Sequence, residues 1–396
     1  MNHIIMMLIL FIFLGCSDGN VDERSMVYYG DINNDTVLGI DVESMELLEI
    51  IASNGVKPYE IAKGDENLYV INRNDYTTGI LNTKIGSIDN EIVLNFKPRS
   101  LSINADDILF SSVDEPSSAL VTNGIVSNSY SDSSYILPTS FGGTNATGHP
   151  VWIDDNYFLL LDRTENTIEV YLKGVSLPIS KLVTSSSVHH VMNRDGIYYG
   201  IAEGKQGGVS PGVVKFTVSD GSISLIKEQL LSTLIGLPSD FNSSIWGAHH
   251  GALYPSADYI YIGSAEGNVF VLDLANLALV DTFKSGKGIG HFLFYNDMLI
   301  TTNHYDTFKS FYDASDPRAN VLIKELSFST EVYPGITMQS HSSHILDDKL
   351  YFTFNTSTDS TLYKIDLTNI TIEDSLVLRG RYCLMGSFVK NVLNGM

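Results

Sequence analysis

Histidine is the residue type whose placement in this chain could do chemistry. Of ten histidines only His3 precedes position 149, and the other nine run from His149 to His344. Five of these, His149, His190, His250, His291 and His344, open segments of one kind: HPVWIDDNYFLLLD, HVMNRDGIYYGIAEG, HGALYPSADYIYIGS, HFLFYNDMLITTN and HILDDKLYFTFN. The other four accompany them. His189 and His249 directly precede two of the five, His341 stands just before His344, and His304 follows LITTN. Imidazole with carboxylate is a good ligand set for Zn²⁺, and imidazole alone also suits Cu²⁺. Carboxylates occupy matching places further along the segments, at Asp162, Glu203 and Glu266. Four ligands satisfy zinc, so the surplus histidines are expected to orient the ligands or to form a second, weaker site.

Such chemistry needs a scaffold that gathers residues nearly two hundred positions apart. Helical periodicity is almost absent, and short apolar or alternating runs rich in Val, Ile, Leu, Tyr and Phe are cut by Asn, Asp, Gly and Ser, an all-β pattern. The run HGALYPSADYIYIGSAEGNVFVLDLANLALVDTFKSG divides into four strands, and YEIAKGDENLYVINR at Tyr59 and RSLSINADDILFSSV at Arg99 extend the same frame towards the N-terminus. Start to start, the segments recur at about forty to sixty residues, the length of a four-stranded propeller blade. RYCLMGSFVKN, around Cys383, reads as one more innermost strand, and MVYYGDI, TVLGIDV and LLEIIA as the three strands it lacks. Joining the termini in one blade closes the ring and removes open sheet edges. The count is therefore an eight-bladed β-propeller, or seven blades if the last strand only caps the fold. The opening of each innermost strand lies on the channel axis, so the five histidines line an arc of one mouth. Tyr59 and Arg99 take that place on the blades without histidine.

Several features have plainer readings. In Gly148–His149 and Gly290–His291 the imidazole could simply hydrogen-bond within its blade. GVSPG, around Ser210, matches a nucleophile-elbow string, but no helical pattern follows it, and a turn is expected. Cys383 reads as a buried small hydrophobe, or as a soft extra ligand. The chain contains no phosphate-cradling glycine loop, paired CxxC or basic aromatic surface.

The net charge of −22 excludes nucleic acid and an anionic membrane surface as partners, and favours a metal cation or a basic protein. Residues 1–15, MNHIIMMLILFIFLG, form an apolar run too short to span a bilayer and read as a cleaved leader. Residues 16–25 then form a polar tether, and 26–396 the propeller. With Cys16 lipidated, Cys383 is the one remaining thiol and no intramolecular disulfide is available.

FLGC resembles the lipobox of bacterial lipoproteins, which implies acylation of Cys16 and a place in the cell envelope, facing the periplasm, with Ser17 implying the outer membrane. The membrane would then be touched only through the anchor. YIYIGSAEGNVFVLDL resembles the repeat of quinoprotein-type propellers. At AHHGALYPSADYIYIGSAEGNVFVLD, followed by HFLFYNDMLITTN, the chain is similar to the periplasmic propeller chaperones that hand zinc to the solute-binding protein of an ABC importer. That resemblance implies a zinc-binding chaperone or storage protein, with His250 as the residue best carried over. The His-rich segment such chaperones carry near the N-terminus has no counterpart in residues 17–148. Nitrous oxide reductase also gathers blade-opening histidines, around copper, and implies a copper redox enzyme; its electron-entry domain has no counterpart here. Outer-membrane lipoprotein propellers of the barrel-assembly type imply instead a scaffold for protein partners.

Overall fold

Runs of β-branched and aromatic residues, separated by turns that favour a left-handed backbone, form antiparallel hairpins. At Asp195–Gly196, φ values of 53° and 80° make the two-residue connection that this pattern demands. In the computed structural model, thirty-two such strands among the described residues assemble into eight four-stranded sheets. The structure describes residues 23–393 except 65–66, 106, 113–116, 123–133, 139–146, 206–207, 238–246, 249 and 331–337. The leader, Cys16, most of the tether and His249 lie outside the described residues.

The eight sheets are the blades of a propeller, and the seven-bladed alternative does not hold. Blade 1 joins the termini: its innermost strand Cys383–Leu393 pairs with Glu23–Asp31, followed outward by Thr36–Asp41 and Glu46–Ala52. The innermost strands of blades 2 to 8 are, in order, Pro58–Lys63, Pro98–Asn104, Val151–Trp152, Val188–Arg194, Gly251–Leu253, Ile289–Tyr295 and Ser343–Leu346.

Burial explains why the strands differ in composition. Second strands such as Leu68–Asn72 and Asp107–Ser112 are buried along their whole length, because neighbouring blades cover both faces. Outermost strands such as Glu46–Ala52 and Val321–Ser327 carry charge and remain largely exposed, which protects their free edges. The core therefore lies between blades. Ile300 and Phe311 of blade 7 pack on Leu350 and Phe352 of blade 8, and Val27, Tyr29 and Leu38 of blade 1 pack on Tyr351 and Leu362. Cys383 is wholly buried in the latter cluster, where burial pushes its thiol well above the ordinary range.

Among the buried charged side chains, Lys309 lies against the packing of blades 7 and 8. Lys309 is 1% exposed, donates from Nζ to Thr302 Oγ1 at 3.0 Å and lies over the Phe352 ring at 4.3 Å. Burial pushes its pKa down to about 7. An unfolded lysine titrates near 10.4, so between those values the unfolded chain binds the extra proton and stability rises with pH. Lys309→Met is expected to remove that rise and to gain most at pH 7, by roughly 2–4 kcal/mol relative to pH 10. Denaturant unfolding across pH 7–10 checks this, and a difference from wild type that does not vary with pH would contradict it.

Candidate metal centre

Innermost strands do not enter the mouth regularly. In blades 2, 3, 5 and 7 an extra residue, Tyr59, Arg99, His189 or Gly290, is inserted beside the first pair of the ladder. A bulge re-aims side chains that period-two alternation would send to opposite faces. Its effect is clearest in blade 5, where His189 and His190 are consecutive, yet their rings lie 5.1 and 4.9 Å from the His250 ring.

In blade 7 the bulged residue is glycine, and its space is taken by His304, which follows the second strand Met298–Asn303. A Cβ on Gly290 would fall 1.9–2.7 Å from atoms of the His304 ring. Gly290→Ala is accordingly expected to expel His304 and to break the His291, His304 and His341 group as a metal site, lowering the metal retained after loading and desalting, while the chain stays folded. Metal analysis alongside circular dichroism tests this; unchanged stoichiometry would show that His304 is dispensable.

Among the described residues, six of the histidines converge as two groups of three. His149, His189 and His250 bring ligand atoms within 4.8 Å of one another, and His291, His304 and His341 do the same. The two groups meet where the His250 and His291 rings stack at 4.4 Å. Zinc–nitrogen bonds of about 2.0–2.1 Å place tetrahedral ligands roughly 3.3 Å apart, so each group needs only a small inward closure to hold an ion and leaves one position open. Three neutral imidazoles fit zinc or copper in donor type.

Glu203 supports the first group. Its Oε1 lies 3.4 Å from His189 Nδ1, while Oε2 accepts from Arg163 and from Ser187 Oγ at 3.3 Å. A carboxylate so placed can hold the Nδ1 proton and present Nε2 to a metal. Asp162 is used differently: it accepts from the Thr164 and Glu165 amides and closes a turn. Glu266 stands half-buried after the second strand of blade 6 and belongs to neither group. His190 lies beside the first group, 6.1 Å from the His149 ring. His344 is not brought to the others. It packs on Phe388 of blade 1 at 5.3 Å, its Nε2 lies 3.4 Å from Ser342 Oγ, and burial pushes its pKa down to about 4.

The mouth is a cavity of about 230 Å³ in which His149, His189, His250, His291 and His341 face Tyr59, Glu60, Arg73, Arg99 and Arg163. Beside it lies a hollow of about 280 Å³ that reaches His304 and shares Arg163 and Met338 with it. Arg99 is held by Nη1 to Thr147 O at 2.9 Å; burial, then Arg163 and Arg73, push its pKa down to about 9. Burial raises Glu60 to about 7 against the pull of Arg73 and Arg99.

Arg73 and Arg163 were not anticipated from the sequence, although a signal was there. Each follows directly on a second strand, Leu68–Asn72 or Tyr157–Asp162, the position that Glu203 and His304 occupy on blades 5 and 7. Ser210 belongs to a turn, accepting from the Ser232 amide and donating to Pro211 O.

No protein-family profile and no curated protein sequence matches the chain. Solved structures resemble it closely in fold. Apo AztD from Citrobacter koseri superposes with a TM-score of 0.63 at 12% identity, over 94% of this chain and 100% of that one, and a second AztD structure gives 0.64. Dihydro-heme d1 dehydrogenase NirN in complex with DHE gives 0.64 at 11% identity over 91% and 74% of the two chains. BamB from Moraxella catarrhalis gives 0.59 at 8% identity over 83% and 90%. Proteins of such different names on one architecture leave the site, not the fold, to decide function.

Proposed function

We propose that this chain is a metal-binding propeller of the bacterial cell envelope that carries zinc as cargo, as a metallochaperone or storage protein. The observation that carries the reading is the pair of three-histidine groups at one mouth of the channel. The fold is shared with AztD, and the sequence at His250 resembles the propeller chaperones that hand zinc to an ABC importer's solute-binding protein. Cargo and acceptor here are read by analogy: zinc rather than copper, and a periplasmic solute-binding protein. The lipid anchor on Cys16 would keep the propeller at the envelope, facing the periplasm.

The chain's own residues suit reversible holding. Three imidazoles leave a coordination position through which an acceptor's ligand can enter, and the cavity above the first group gives it access. Glu203 fixes the orientation of His189, so affinity is set partly by a residue that need not touch the ion.

The test is a titration of the mature chain, without Cys16 and stripped with chelator, against Zn²⁺ and Cu²⁺ in the presence of a competing indicator. Up to two zinc ions per chain, bound more tightly than micromolar, are expected. No saturable binding below micromolar would sink the reading, and a strongly coloured copper site that turns over an oxidant would replace carriage with catalysis.

A further inference from the structure

Metal binding accounts for the six histidines of the two groups and leaves unexplained the guanidiniums that face them across the same cavity. We propose that the mouth is a paired site, in which Arg73 and Arg99 hold a small free oxyanion next to the metal ion gripped by His149, His189 and His250. This rests on the metal-binding reading for its second half only, since the anion subsite is built from other residues.

Four observations support it. Arg73 and Arg99 line one cavity of about 230 Å³ with all three ligands, room for a small anion but not for a folded segment. Both guanidiniums are held in place, Arg99 at 7% exposure by Thr147 O, and Arg73 over the Tyr59 ring with its guanidinium carbon 3.5 Å from the centroid. Arg73 Nε is buried and has no hydrogen-bond partner among the described residues, so a donor of fixed direction is left to serve. The charges do not balance among the described residues: Glu203 is occupied by Arg163, and of the cavity's described carboxylates Glu60 stands against Arg73 and Arg99 before a divalent cation adds two more positive charges. Buried charge of one sign calls for a counter-ion, and a guanidinium fork matches the oxygens of phosphate or carbonate.

The two halves are coupled through His189. Its Nδ1 lies 3.4 Å from Arg99 Nη2 and 3.4 Å from Glu203 Oε1. It can accept from the arginine or donate to the carboxylate, but not both at once. Coordination of a metal through Nε2 puts the proton on Nδ1, which commits that nitrogen to Glu203 and frees Arg99 Nη2 for an anion while Nη1 stays on Thr147 O. Anion and metal should therefore strengthen each other's binding by the same factor.

Calorimetric titration of inorganic phosphate into the metal-free and the zinc-loaded full mature chain tests this. One phosphate per chain is expected, bound at least tenfold more weakly by Arg73→Gln and by Arg99→Gln, and several-fold more tightly once zinc is loaded. Zinc affinity in phosphate should rise by that same several-fold factor. Arg73 is only half-buried, so Arg73→Gln keeps the test decisive if Arg99→Gln fails to fold, and Arg73→Lys should recover only part of the loss. Absence of saturable phosphate binding in both forms, or binding indifferent to both arginines, would overturn the proposal. Phosphate binding by metal-free protein that never takes up zinc would instead overturn the metal reading and leave the anion subsite standing.

Discussion

His250→Ala is expected to lower the affinity of the first zinc ion by roughly a hundredfold, and that of the second by a few-fold. The first figure follows from dividing a zinc-site binding energy of about 10–16 kcal/mol over four ligands, which gives roughly 3 kcal/mol for each. The second follows from position. His250 is a member of the His149 and His189 group and also stacks on His291, so its removal loosens a ligand of the neighbouring group without deleting it. His344→Ala provides the contrast: its ring lies on Phe388, outside both groups, and its loss should leave zinc affinity within about threefold of wild type. Competition titrations of the three proteins check both. Equal loss in the His250 and His344 variants would mean that the histidines act through packing alone. A loss confined to one ion in His250→Ala, with the second untouched, would mean that the two groups are independent.

That contrast also marks how far the mouth could be read from residue order. Blade frame, ring closure and the side of the channel all follow from segment spacing, because a propeller repeats one hairpin geometry and the backbone allows few alternatives. Level within the channel is finer. His190 stands five residues before Asp195 and His291 five before Asn296, the left-handed residues that turn each strand back, whereas His344 stands only three before Asp347. It therefore pairs with Tyr351, deeper along the wall, and His341 supplies the imidazole at the mouth. Counting back from the turn rather than forward from the histidine distinguishes them. The bulges are less legible. Nothing in VHHVM states that His189 is the inserted residue, since the register shift depends on how the strand meets its partner. The arginine side of the mouth was legible in part: Arg99 opens a segment as the histidines do, but Arg73 and Arg163 appear only when the position after each second strand is compared across blades.

Deleting residues 383–396 is expected to abolish cooperative folding. The strand Cys383–Leu393 supplies the innermost edge of blade 1, pairing with Glu23–Asp31 from Asp31 opposite Cys383 to Glu23 opposite Leu393, with register shifts between Arg24 and Met26 and between Tyr29 and Asp31. Without it, Cys383 and Leu384 leave a core in which they are 0% and 2% exposed, and the fully buried Tyr28 and Tyr29 lose the strand beside them. Removing one buried leucine costs about 2–5 kcal/mol. Polar partners are lost as well: Thr353 Oγ1 and Asn355 Nδ2 donate to Cys383 O at 2.7 and 2.9 Å in a buried site, and each group left unsatisfied costs about 1–3 kcal/mol. These terms together reach the whole stability of an ordinary domain, about 5–15 kcal/mol, before the opened ring exposes its edges. Thermal unfolding followed by circular dichroism decides the matter, with a peptide of residues 381–396 added back as the control for closure. A truncated chain that still melts in one sharp transition within about 5 °C of the full chain would show that blade 1 holds without its terminal strand. Recovery of that transition on adding the peptide would place the stability in the closure itself. The mouth should follow the ring, because His341 and Met338 enter it directly ahead of the blade that contacts this strand, through Ser342 Oγ to Leu384 O at 3.1 Å, and Met338 O accepts at 3.1 Å from Oη of Tyr382, the residue just before the strand. Zinc bound by His291, His304 and His341 is then expected to be lost at a lower temperature than zinc bound by His149, His189 and His250, since only the former group leans on the closing strand.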